Sequence, residues 1–260
     1  MTENTPPPKD QAPKVDTSKL AVKEAPRPKT KRVYKTVEVA SDAEGWHVLL
    51  DGKHLITPMR KPLATPAKAL AEAIAAEWDG QKEFVEPENM PLMRLLSTAI
   101  DRVAPERAMM IDELVKYADT DLLCYRAAHP AVLKSRQETL WQPVLDWVAA
   151  KHGASLIVVD GILPAEQSTD TVANLKAAIA ALSDIHLTAF QASAAITSSL
   201  TLSLAFVQGR LSAAEVFAAS QLDETYQIEM WGEDELAAER RNRIAIDLDG
   251  IGNFLKLTAL

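Results

Sequence analysis

Cysteine is almost absent from this 260-residue chain, and its scarcity excludes disulfide-stabilised scaffolds. The single thiol is Cys124, so no disulfide can form within the chain, and a reducing compartment is expected. His129 follows closely in sequence, but a thiolate nucleophile also needs a positioned base and an oxyanion site. We therefore expect Cys124 to be a small, buried, apolar residue.

Long apolar runs are lacking as well. The nearest approach, Ala192–Val207, is shorter than the roughly 18 residues of a membrane span and contains Ser and Thr. The N-terminus has no apolar signal core, its first arginine is Arg27, and Glu3 and Asp10 come early, unlike a mitochondrial presequence. We expect a protein of the bacterial cytoplasm that does not insert into membranes.

Basic residues are outnumbered, with 28 Lys and Arg against 36 Asp and Glu and a net charge of −8. This balance argues against nucleic-acid binding, which depends on cations that neutralise phosphates. It permits an electronegative surface that attracts a basic protein partner.

The sequence motifs of common active sites are missing. There is no G-x-x-x-x-G-K-[ST] phosphate loop, and Gly250–Gly252 lacks the third glycine of a dinucleotide fingerprint. His47 and His54 could face each other across a hairpin, but without a nearby third carboxylate ordinary surface histidines are favoured over a metal site. We predict no catalytic residues, no metal and no cofactor.

Carboxylate pairs leave one enzymatic alternative open. Asp119 and Asp121 lie two residues apart and, together with Glu77, could hold a divalent metal in a hydrolase or lyase. Asp is equally suited to capping a helix, because its side chain accepts hydrogen bonds from free amides at a helix start. We favour capping.

The chain divides by composition into a tail, a small sheet and a helical region. Residues 1–30 are rich in proline and have almost nothing to bury, which predicts disorder. Trp46–Leu50, the turn Asp51-Gly52 and Lys53–Thr57 predict an antiparallel hairpin.

Helices are predicted after the hairpin. Thr65 is predicted to cap a helix that begins at Pro66 and buries Leu70, Ile74 and Trp78, and a capping box at Ser212 and Glu215 is predicted to open another. The other predicted elements are helices at Pro91–Val103, Glu106–Tyr117, Val132–Lys151, Thr171–Leu182 and Ile185–Val207, a β-type run at Ser155–Val159, and a frayed helix at Ile246–Leu260. Ile185–Val207 is interpreted as the central helix of a bundle. The predicted fold is α+β: a small N-terminal antiparallel β-hairpin/α domain at 31–118 and a larger C-terminal helical-bundle domain at 119–260.

The most informative segment is Leu222–Glu235, in which acidic residues alternate with large apolar ones. Leu222, Tyr226 and Met230 share one helical face, and Asp223 and Glu224 lie toward its edge. Such a stripe either faces the core, with an ordinary solvated acidic side, or docks onto a partner that exposes apolar and basic groups.

Several motifs together carry a family resemblance over roughly residues 31–240. They are DGKHLITP (51–58), EWDGQ (77–81), DTDLLCYR (119–126), W-x-P (141–143), SLTLSLA (199–205) and LDETYQIEMWG (222–232). In this order the chain resembles the assembly chaperone family of the ATP synthase catalytic head, the member that acts on the alpha subunit. The resemblance implies a non-enzymatic protein that shields the beta-facing surface of the unassembled alpha subunit. We expect a monomer.

The resemblance also implies where the partner binds. It places the key carboxylate within 222–232, at Glu224 with Asp223 as the competing choice, and makes Tyr226, Glu229 and Trp231 partner-binding residues. An adaptor for another protein partner stays open as an alternative.

Overall fold

A small antiparallel sheet begins the part of the chain that the computed structural model describes, residues 30–161, 163 and 166–258. Its strands are β2 (Val37–Asp42), β3 (Gly45–Leu50), β4 (Lys53–His54) and β5 (Ala64–Thr65), and β3 pairs with each of the other three. Asp51 and Gly52 have φ values of 48° and 75°, which confirms the predicted turn. The predicted tail falls almost wholly outside the described residues, except that Thr30 belongs to a two-residue strand, β1 (Thr30–Lys31), paired with β6 (Phe84–Val85).

The first helix, α1 (Lys68–Asp79), starts later than predicted. Thr65 does not cap it, because Thr65 pairs with Trp46 in the sheet and Ala67 takes the N-cap position. Leu70 and Ile74 are buried as predicted, whereas Trp78 is only partly buried and packs against the same core.

The remaining helices account for most of the chain. They are α2 (Pro91–Thr98), α3 (Ala104–Val115), α4 (Ala131–His152), α5 (Thr169–Ala180), α6 (Asp184–Thr197), α7 (Leu200–Val207), α8 (Ala213–Ser220), α9 (Leu222–Trp231) and α10 (Glu235–Thr258). A π-helical turn, Ala99–Val103, joins α2 to α3, and α4 contains Pro143 without a break. The capping box of α8 is present as predicted. The β-type run is mostly wrong, since only its last residue enters a strand, β8 (Val159–Asp160), parallel to β7 (Tyr125–Arg126).

The predicted helix Ile185–Val207 is two helices. Ser198 adopts the left-handed conformation with φ 55°, and Ser199 then caps α7 through a bond from Leu202 N. Serine favours such caps because its hydroxyl competes for backbone groups. Every residue of α7 is buried, so the centre of the helical region is α7 rather than one long helix.

The prediction of a frayed C-terminal helix is wrong. The helix α10 continues through Gly250 and Gly252 to Thr258 and buries Leu248, Ile251 and Phe254. It contacts α1 and α2 as well as α6 and α8. The largest apolar core accordingly contains residues from both predicted domains, including Val48, Leu70, Leu187 and Phe254. The α+β class is confirmed, and the domain boundary near 118 stays a prediction.

No helix in the described ranges is long and apolar enough to cross a membrane.

Candidate partner-binding surface

The helix α9 leaves the core after its first turn. Leu222 is buried and Tyr226 half-buried, whereas Met230 and Trp231 are 57% and 77% exposed. Just beyond the helix, Leu236 is 76% exposed. The apolar stripe is therefore core-facing at one end and solvent-facing at the other, which is unusual for a helix that serves packing alone.

Arg136 of α4 fixes the outer half of α9. Its Nη1 atom lies 2.7 Å from Glu229 Oε2, and its guanidinium lies 5.6 Å from the centre of the Tyr226 ring. Val132 and Leu140, one turn either side of Arg136, are 50% and 37% exposed. We call the surface formed by Val132, Arg136, Leu140 and α9 the α4–α9 surface.

The carboxylate of Asp223 is bound by a side chain of α4. Gln137 Nε2 donates to its Oδ1 at 2.8 Å, while Gln137 Oε1 accepts from Ala127 N at 2.7 Å. Burial lowers the pKa of the nearby Arg126 guanidinium, whereas the negative charge of Asp223 raises it. Asp223 is thus one of several negative groups near this buried cation, and the Gln137 amide binds its carboxylate.

Glu224 stands apart from these bonds. Within the described part of the chain, it takes part in no ion pair or side-chain hydrogen bond. A structural role for Glu224 would need a basic partner within the helical region, such as Arg240 or Arg243, and neither pair is formed. Of the arginines of α10, Arg241 contacts α9, through Thr225 Oγ1 at 3.1 Å. The Glu224 carboxylate is half-exposed and is left to solvent or a partner.

Sequence reasoning located α9 but missed its supports. Arg136 and Gln137 lie 93 and 86 residues away in sequence from the residues that they bind. No local motif encodes such contacts. The one available signal is the spacing of Val132, Arg136 and Leu140, which places them on a single helical face.

Two of the three acidic residues of the enzymatic alternative are caps, and the third, Asp119, accepts from Gln167 N at 2.8 Å. Asp121 is buried and accepts from Thr201 N at 2.9 Å and Leu123 N at 3.0 Å, and Glu77 accepts from Leu92 N and Met93 N at the start of α2. Burial raises the pKa of both carboxyls. They serve different helices, and among the described residues they join no group with the spacing of metal ligands.

The predictions for Cys124 and for the pair of histidines have different outcomes. Cys124 is fully buried, and its burial raises the pKa of the thiol, opposite to what a nucleophile needs. His47 and His54 do face each other, with ring centres 4.6 Å apart. The sequence predicted no carboxylate near these two histidines as a third ligand. This prediction is wrong, because Asp42 lies beside them.

Comparisons with known proteins agree with the resemblance. The family model described as "ATP12 chaperone protein" matches residues 31–149. The protein named atp12, mitochondrial, from Schizosaccharomyces pombe is 28% identical over 249 residues, which cover 90% of this chain and 83% of that relative.

Solved structures extend the likeness to the helical region. Atp12 from Paracoccus denitrificans has a TM-score of 0.83 at 36% identity, covering 88% of this chain and 99% of that one. An aspartate-to-lysine variant of the same protein gives the same score and identity. A chaperone candidate from Agrobacterium tumefaciens has a TM-score of 0.82 at 40% identity, over 88% of this chain and 86% of that one.

Proposed function

Because the chain belongs to the ATP12 chaperone protein family, we propose that it binds the unassembled alpha subunit of ATP synthase and shields its beta-facing surface until the catalytic head assembles. The observation that carries the proposal is the exposed outer half of α9. There Met230 and Trp231 project into solvent, and Glu224, in the first turn of the same helix, has no partner within the described residues.

The chemistry of the α4–α9 surface suits a partner with apolar and basic groups. Trp231 and Met230 offer large apolar area, and tryptophan is a frequent hot-spot residue at protein interfaces. Unassembled subunits expose the surface meant for their neighbours, and covering it removes an aggregation-prone patch. Acidic groups at the rim then select a basic partner surface and guide its approach.

The five candidate residues divide into contacting and positioning roles. We assign partner contact to Glu224 and Trp231, which are accessible and carry no ion pair in the described structure. Asp223, Tyr226 and Glu229 already bind α4 through Gln137 and Arg136, so we assign them to holding α9 in place.

We propose a non-enzymatic, monomeric protein of the bacterial cytoplasm, in line with its relatives from Paracoccus and Agrobacterium. The capping roles of Asp121 and Glu77 support the absence of catalysis.

Isothermal titration of the protein with ATP and magnesium should show no heat of binding. Saturable one-to-one nucleotide binding would overturn the proposal of a passive chaperone.

Glu224→Lys tests the contact directly. We expect a normal thermal melt, since the side chain makes no hydrogen bond or ion pair in the described structure, but binding of alpha subunit weakened by about 100-fold, or about 2.7 kcal/mol. Light scattering of aggregation-prone alpha subunit, mixed with either protein, measures the lost protection. Asp249→Lys is the matched control, because it makes an equivalent charge reversal at an exposed position of another helix, α10.

Asp223→Lys separates the two carboxylates. It removes the bond from Gln137 and places a cation near buried Arg126, so we expect a lowered melt. A normal melt with full protection in Glu224→Lys would remove Glu224 from the site and make Asp223 the next candidate. A pull-down from the native cell that recovers a different protein, without alpha subunit, would favour the adaptor alternative.

A further inference from the structure

Three potential metal ligands lie together on one face of the sheet. His47 pairs with Ala40, and Asp42 pairs with Gly45, so His47 and Asp42 point to the same side of the β2–β3 pair. His54 is opposite Leu49, which shares the face of His47. Val48, on the other face, is part of the apolar core. The register therefore gathers Asp42, His47 and His54 on the side away from the core.

The side-chain geometry matches this register. One ligand atom from each of the three residues lies within 4.8 Å of the other two. Asp42 Oδ1 is 2.8 Å from His47 Nε2, and the rings of His47 and His54 are 4.6 Å apart. Asp42 and His54 are exposed, so an ion can reach the group from solvent.

His47 is the unusual member. Only 1% of it is exposed, and its Nδ1 atom has no hydrogen-bond partner among the described residues. A buried polar atom without a partner is destabilising, and here it belongs to an imidazole whose other nitrogen, Nε2, already faces the Asp42 carboxylate, with the His54 ring alongside.

We propose that Asp42, His47 and His54 form a binding site for a divalent transition-metal ion, with Zn²⁺ as the best chemical match. Two imidazoles and one carboxylate are a recurrent zinc ligand set, with water completing the coordination. Mg²⁺ and Ca²⁺ prefer all-oxygen sites and are disfavoured here. Zn–N and Zn–O bonds of about 2.0–2.2 Å bring tetrahedral ligands to roughly 3.3–3.6 Å from each other. The exposed Asp42 and His54 side chains would both shift, and Asp42 would give up its 2.8 Å hydrogen bond to His47 Nε2, whose proton leaves as the ion binds.

The bound ion would link β2, β3 and β4. Since it would bind the folded hairpins and not the separated strands, it would stabilise the sheet by mass action. The site lies on the sheet, whereas the α4–α9 surface is built from helices, so the proposal does not depend on the chaperone function.

The test uses tag-free full-length protein stripped with a chelator and then titrated with ZnCl₂ in a calorimeter. We expect one saturable site and a raised melting temperature. His54→Gln, at an exposed strand position, should fold normally and lose affinity by more than the roughly 10–100-fold that loss of an outer-shell partner causes. Asp42→Asn should also weaken binding, and MgCl₂ should give no saturable heat.

His129→Gln is the matched control, because His129 is exposed and lies outside the group. It should bind Zn²⁺ as the unaltered protein does. Equal affinity in His54→Gln and the unaltered protein would overturn the site, as would the absence of saturable zinc uptake.

Discussion

Asp121 shows how one buried carboxylate can organise distant backbone. Its Oδ1 accepts from Leu123 N and from the hydroxyls of Ser199 and Thr201, and its Oδ2 accepts from Thr201 N. The first amide belongs to the turn after Asp121, and the last belongs to the first turn of α7. Asp121 therefore ties the buried turn at Leu122–Cys124 to α7, a helix whose residues are all buried.

Asp121→Ala is expected to lower the free energy of unfolding by about 2–5 kcal/mol, because two buried amides lose their acceptor. Urea denaturation measures the change. Asp249→Ala removes a carboxylate from an exposed helical position and should stay within about 0.5 kcal/mol of the parent protein. A loss at Asp121 no larger than at Asp249 would mean that water replaces the carboxylate.

Residues whose partners are local were predictable, and residues whose partners are distant were not. Ser212 and Glu215 lie three apart, so their capping box follows from sequence alone. Asp121 was correctly favoured as a cap, but its bond to α7 spans 80 residues. The support of Asp223 by Gln137 is hidden from sequence for the same reason.

At the scale of elements, α10 shows why a glycine pair does not end a helix. A Cβ built on Gly250 would lie 3.3 Å from Pro91 Cβ, and one on Gly252 would lie 3.5 Å from Phe206 and Ala213. The glycines let α10 approach α2 and α8 closely, and the buried apolar face offsets their weak helix propensity. Helix propensity, read from sequence, includes the cost of glycine in a helix. It does not include the close packing that glycine permits.

The two glycines should respond differently to alanine. Gly252→Ala is expected to stabilise the protein by about 0.5–1 kcal/mol, because the new methyl finds ordinary contact distances and the helix gains propensity. Gly250→Ala should give no gain, because its methyl presses on the rigid Pro91 ring. Chemical denaturation of both variants measures the difference, and equal gains would show that Pro91 moves aside without loss.

For the whole molecule, composition and pattern predicted the α+β class and the hairpin-before-helices order. They did not reveal that α10 returns to the first half of the chain. That helix packs on α1 and α2 and also on α6 and α8, so its apolar face belongs to both predicted domains. The α4–α9 surface needed the same kind of information, since its two helices meet only in the folded chain.

The shared core predicts that both regions unfold together. Val48 of the sheet and Phe254 of α10 belong to one apolar cluster with Leu187 of α6, and breaking any part exposes the rest. Differential scanning calorimetry should show one transition with calorimetric and van't Hoff enthalpies nearly equal. Val48→Ala should move that single transition to a lower temperature and reduce the free energy of unfolding by about 1–3 kcal/mol. If two transitions are resolved, and Val48→Ala shifts only one, the boundary near 118 separates independently folding domains. The packing of α10 on α1 and α2 then does not couple their unfolding.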